Sequence, residues 1–174
     1  MACNITSAIA LNCMDSVGGI NLAYILAGEI TSTTQLDGEI TEITGTGNFY
    51  QFELAKDTAF FSEAVTVSNT AGSVFYSGEL TIVLQKMSAA KRNQILLLAA
   101  NRELRIVFVD NNNLTYIMGL TRGAVISSGN IATGTALGDL NGATLVFTSQ
   151  EPQSVGIIDG DLASVLSGIV IVNS

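Results

Sequence analysis

Residues 74–85, VFYSGELTIVLQ, alternate in character: Leu80, Ile82 and Leu84 fall on one side, Glu79, Thr81 and Gln85 on the other. A period of two marks a strand with one buried face, and this stretch is about twice the ordinary strand length. Such a strand either runs past the core of its own domain or belongs to a sheet shared with a neighbour. A helix follows, opening at Ser88, whose hydroxyl can accept from the free N–H groups of the first turn, and ending near Asn101. Ile95, Leu98 and Ala99 form one stripe, and Leu96, Leu97 and Ala100 widen it, so the far end of this helix is expected to be covered on more than one side. Residues 104–109 and 114–119 then pair across Asp110-Asn111-Asn112-Asn113 as a hairpin.

The remainder also reads as strands. Residues 1–13 carry no helix cap and are expected as a strand or an extended arm, the arm reaching residue 20. Residues 20–33 are apolar and β-branched, with Gly28 as a bend or bulge. Residues 39–44 and 49–54 flank Gly45-Thr46-Gly47-Asn48, a loop of hairpin length, and Tyr50, Phe52 and Leu54 share a face. Residues 60–67 make another strand, turning at Asn69-Thr70-Ala71-Gly72. Residues 125–127 and 143–149 are strands joined by a long Gly/Thr-rich loop over 128–142, and loops of that length are usually functional or disordered. One or two short strands are expected in 154–174. The chain of 174 residues is thus expected to be one domain, mainly β with one principal α-helix.

Charge narrows the class. Charged residues are 13% of the chain, against about 25% in an ordinary soluble domain, while hydrophobic residues reach 48%. Disorder is therefore disfavoured, and the surface is one of hydroxyls and amides. A surface so poor in charge suits a subunit whose neighbours cover much of it. The net charge is −8, which opposes sequence-independent nucleic-acid binding, although a wall of like charge lets nucleic acid pass without adhering. Residues 1–85 hold nine acids and one base, residues 86–105 five bases and one acid, and residues 106–174 five acids and one base. Lys91, Arg92, Arg102 and Arg105 therefore lie between two acidic segments. They either dock on their own domain or face the acidic side of another subunit.

Little in the sequence supports catalysis. Histidine is absent, so no Ser–His–Asp or Cys–His site can form and the commonest general base is missing. Ser88-Ala89-Ala90-Lys91 matches the S-x-x-K nucleophile motif, but its companion motifs are missing and capping explains the serine. The carboxylate pairs Asp37/Glu39, Glu39/Glu42 and Asp159/Asp161 sit in turns or at strand edges and read as solvated. Asp110 to Asn113 lacks the glycine and glutamate of a calcium loop, and Gly45-Thr46-Gly47 lacks the lysine and helix of a phosphate loop. No enzyme activity, cofactor or metal is expected. Cys3 and Cys13 are expected as reduced, buried thiols, with a short-range disulfide as the alternative. The apolar run 165–172 is broken by Ser167 and Gly168, so no membrane segment is expected. Nothing at the start reads as a signal peptide, so synthesis in a cytoplasm is expected.

Three patches carry a resemblance: Asn12-Cys13-Met14-Asp15-Ser16-Val17-Gly18-Gly19-Ile20; Phe75 to Leu84 with the helix behind it; and Gly134 to Asp139 with Leu145-Val146-Phe147-Thr148 and Glu151-Pro152. In these the chain resembles the tail-tube and tail-ring structural proteins of phages that infect Bacteroidota, including the crAss-like group. The patches span roughly residues 10–152. Met14 stands where the resemblance leads one to expect a basic residue, and 154–174 lie outside it. The resemblance implies a tail-tube-like β-sandwich or small barrel with a flanking helix. It also implies rings of six copies or a multiple of six, whose long strands join into an inner barrel. The acidic lumen would conduct the genome, bordered by other tail and neck proteins in the virion. Carried over, the hairpin of residues 60–85 would line the lumen with Glu63 and Glu79, and the loop 128–142 would reach a neighbouring subunit or ring. A host-binding adhesin module, with the Gly/Thr loop as its contact surface, and a bacterial secretion-tube subunit are the alternative functions.

Overall fold

The computed structural model describes residues 7–11 and 14–173. Expectations for Cys3, Cys13 and the first six residues lie outside them. Residues 7–11 form no strand, and Ile9 and Leu11 are fully exposed, as an arm would be.

The chain is mainly β, with one helix longer than a single turn. Strands β1 (Ile20–Leu36) and β2 (Glu39–Glu53) form a long antiparallel hairpin. Its turn is the two residues Asp37 and Gly38, at φ 53° and 93°. Two consecutive positive φ values make the tight turn whose twist matches that of the strands it joins. β3 (Phe60–Ser68) and β4 (Ser73–Gln85) form a second hairpin, and helix α1 (Ala89–Ala100) follows. Then come the hairpin β5 (Arg105–Asp110) and β6 (Thr115–Met118), and the pair β7 (Ala124–Ala132) and β8 (Gly142–Glu151). The C-terminal part holds β9 (Gly156–Ile158), the helical turn α2 (Leu162–Val165), β10 (Leu166–Ser167) and β11 (Val170–Val172).

Two sheets result. β1 pairs with β2 and β5, β5 with β6, β6 with β9, and β9 with β2, so this sheet closes on itself as a small barrel. β10 and β11 run parallel to β2 and extend the wall beyond β9. The second sheet is open, in the order β3-β4-β8-β7.

Where the barrel closes, its strands are buried on both faces, whereas residues 27–36 of β1 are largely exposed. Leu26, Ile40, Ile43, Phe49, Val107 and Ile117 point inward, closed off by Leu162, Val165 and Ile169 from the C-terminal segment. Ala23, Ile25, Ile106, Phe108 and Met118 point outward and meet Leu80, Ile82, Leu145 and Phe147 of the open sheet. Phe61 of β3 bridges this layer against Phe108, ring centroids 4.7 Å apart. Each such buried side chain contributes about 1.5–3 kcal/mol through the water it sheds.

Several expectations are corrected. Gly45 to Asn48 is no loop: β2 runs through it without a break. Its glycines serve close approach, because a Cβ on Gly45 would meet the Glu29 carbonyl oxygen, and one on Gly47 that of Ala27. Gly28 faces Gly47 in this crowded crossing, and the register shifts of β1 fall instead at Ile30/Ser32 and Thr34/Gln35. The expected loop 128–142 begins only after Ala132, because 128–132 pair with β8 as part of β7. Its remainder is held by Asp139, whose carboxylate accepts the N–H groups of Thr135 and Ala136, each at 2.8 Å. The C-terminal segment is richer than expected, with three short strands and a helical turn. Within one chain the end of α1 is not covered on more than one side: Leu96 and Leu97 are exposed, and only Ile95 is buried.

Candidate functional site: the open sheet and the two ends of the barrel hairpin

Cross-strand rows define the outer face of the open sheet. One row runs Ser62, Glu79, Thr148, Val125; its neighbours run Ala64, Ser77, Gln150 and Phe60, Thr81, Val146, Ser128. The side chains alternate as strands demand, so the core takes Leu80, Ile82, Phe147 and Leu145 while this face keeps hydroxyls, amides and valine. Glu79 is exposed and is the one charged strand residue in these rows. The face is hollowed, with a shallow depression of about 600 Å³ beside Glu79 and Arg122.

Glu63 does not join Glu79. It pairs with Gly78, one residue out of phase, and so projects from the opposite, inner face. There its carboxylate accepts from the Ser154 hydroxyl and from the Val155 N–H at 2.9 Å. The expectation that both glutamates line one surface is corrected: Glu63 ties the C-terminal segment to β3. Glu151, not singled out in the sequence, is buried and accepts the N–H groups of Thr121 and Arg122. It fixes the turn between β6 and β7.

The basic residues of the central segment separate into two kinds. Lys91 and Arg92 lie exposed on the first turns of α1, and Arg102 lies exposed beyond its end. Arg105 is different: its side chain is 11% exposed, its nearest carboxylate is Glu103 at 3.8 Å, and its Nε and Nη1 are buried without a partner. That guanidinium lies mostly within its own chain. Ser88 caps α1 by accepting the Lys91 N–H at 3.2 Å, and Lys91 Nζ donates to the Gln85 carbonyl at 2.6 Å. The lysine ammonium is thus occupied by the strand end before the helix.

Where β2, β4 and α1 come together, a groove of about 790 Å³ opens, walled by Tyr50, Phe52, Leu54, Val83 and Ile95 with Lys91 at its margin. At the opposite end of β2 lies the Asp37-Gly38 turn, with Leu36, Asp37, Glu39 and Glu42 all exposed. These carboxylates, solvated as expected, lie at the end of β2 away from the groove because β2 is continuous.

The expected turn at Asp110 to Asn113 is held by its own side chains. Asp110 Oδ1 accepts the N–H groups of Asn112 and Leu114, each at 2.8 Å. Asn111 and Asn112 then grip the start of the chain through the backbone of Val17 and Gly18. Burial first, and then the charge of Asp110, pushes the Tyr116 phenol up. Among the described residues no group of three or more His, Cys, Asp or Glu side chains is placed to hold a metal ion. No helix among them is long and apolar enough to cross a membrane. Comparison with protein-family models, with curated proteins and with solved structures finds no match to this chain.

Proposed function

We propose that this chain is a virion structural protein whose copies assemble side by side into rings of a phage tail tube or tail, forming a channel for the genome. The observation that carries the reading is the open sheet with its two edge strands. β3 pairs on one side only, and so does β7 from Val125 onward, Ala124 alone bridging to Leu104 on the other side. Neither strand contains the proline or lysine that often protects such edges, and β7 carries no charged residue; the protection present is a bulge at Ile126/Ser128 in β7 and the inward-turned Glu63 in β3. Pairing β3 of one copy with β7 of the next satisfies both edges and leaves none when the ring closes.

Dimensions agree with passage of a duplex. Six copies of a four-stranded sheet at about 4.8 Å per strand give a circumference of about 115 Å, or about 37 Å across. Side chains of about 5 Å on each wall leave about 27 Å, and strand tilt widens this further. Glu79 then repeats once per copy on a wall of mostly uncharged side chains, with Arg122 beside it. The two charges offset each other, so the wall offers phosphates little net attraction and nucleic acid slides without adhering. A bacterial secretion-tube subunit would share this geometry.

Sedimentation and negative-stain electron microscopy of the purified chain test the assembly, with closed rings expected. A species that stays monomeric at high concentration, with no rings, overturns the reading. For the channel wall, a Glu79→Cys variant with Cys3 and Cys13 replaced by serine is expected to react slowly with a bulky maleimide in assembled rings. Labelling as fast as in the monomer overturns the assignment of this face.

A further inference from the structure

We infer that copies also join end to end, the Asp37-Gly38 turn of one copy entering the groove between β2, β4 and α1 of the next. Both partners are on the same strand. β2 begins at Glu39 beside the turn and ends at Glu53 in the groove, about 45 Å of strand later. A contact between these two places therefore cannot be made within one copy. It is a head-to-tail contact, which repeats without closing unless a rotation closes it.

Charge makes the match directional. The β1–β2 hairpin, turn included, carries Glu29, Asp37, Glu39, Glu42 and Glu53 and no base. Asp37, Glu39 and Glu42 are exposed at the turn end. At the groove end Lys86, Lys91 and Arg92 are exposed, with Glu53 as the carboxylate at the margin and Lys56 and Asp57 beyond it. Among the described residues the single ion pair is Arg105 with Glu103, so neither cluster is neutralised within the chain. Interactions between exposed charges are screened out over about 8 Å at physiological salt, so the two ends ignore each other within a copy and meet only across copies. Exposed Leu36 at the turn tip supplies an apolar side chain for the groove wall, where Tyr50 is exposed and Phe52 and Leu54 are only partly buried.

The inference deepens the ring reading, since rings joined in this way stack into a tube, but it stands or falls on a separate experiment. One variant, Lys91→Glu with Arg92→Glu, makes both ends acidic. The other, Glu39→Lys with Glu42→Lys, makes both basic and leaves the turn itself intact. Each alone is expected to lose end-to-end association by about tenfold or more relative to wild type, measured by sedimentation velocity at low salt and by the lengths seen in electron micrographs. A one-to-one mixture restores it, because each then finds an opposite partner. The inference is overturned if wild type shows no end-to-end association, if either folded variant associates as wild type does, or if the mixture fails to restore it. Rings of normal size that no longer stack separate this contact from the lateral one. End-to-end chains without rings would sink the ring reading and leave this contact standing.

Discussion

The barrel and the open sheet are made of similar strands, yet they finish differently. In the barrel, β5 and the first part of β1 are buried on both faces and the sheet closes through β9, while residues 27–36 of β1 run on past the closed part paired with β2 alone. In the open sheet only one face is buried, and the ends of the order, β3 and β7 beyond Ala124, keep an unpaired edge. The difference teaches where one copy is complete and where it is not. Stability resides in the barrel and the layer beneath it, and the proposed assembly would draw on the open sheet, the turn of the long hairpin and the groove.

The largest expected effect tests the barrel side. Phe49 is fully buried inside it, so Phe49→Ala should cost about 3–5 kcal/mol in chemical denaturation of the monomer. A loss below about 1 kcal/mol would mean that the barrel interior is not where the fold is held. Next is Gly47→Ala. At φ 105° with the Ala27 carbonyl oxygen where a Cβ would sit, the substitution should cost about 2–3 kcal/mol and disturb the β1–β2 crossing. Amide exchange along β1 and β2 reads this directly.

A smaller effect concerns the link between the two halves. Glu63→Ala leaves the Val155 N–H without its acceptor and should cost about 1–2 kcal/mol, with faster exchange confined to 154–158. Glu79→Gln, on the outer face, should change monomer stability by less than about 0.5 kcal/mol. A larger change would break the comparison, because that face would then be working within the copy. The smallest expectation is local and depends on pH. N–H groups of Ala136 and Thr135 hold the Asp139 carboxyl below its ordinary value, against a small opposing effect of burial. Its folded value lies below the unfolded one, so the contribution is full above the unfolded range and is lost as pH falls through the folded value. The amide shifts of Thr135 and Ala136 should move in acid, and Asp139→Asn should remove that titration.

Much of the strand pattern was readable from local chemistry. The alternation of Val74 to Gln85, the Ser88 cap and the Asp110 turn all appear where their residues lead one to expect them. Glycine misled in two ways. Gly45 and Gly47 look like a turn, since glycine's freedom is the usual reason for its presence in a loop. Here they are needed because two backbones cross too closely for a Cβ, which depends on the partner strand. Gly129 and Gly134 likewise made β7 seem to stop early. The pairing of Glu63 with the C-terminal segment was not readable either, because its partners lie 91 and 92 residues away.

By itself the sequence determined that this chain would be mostly strand with one principal helix, poor in charge and without histidine. Those properties follow from side-chain period, capping and composition, which act over a few residues. Tertiary structure alone decided that β2 is continuous, that one sheet closes while the other stays open, and that acidic and basic clusters sit at opposite ends of one strand. Closure and edge exposure are properties of which strands meet, and no local preference specifies a partner many residues away. For the same reason, Glu79 ends on an open face while Glu63, from the neighbouring strand, turns inward as a clasp.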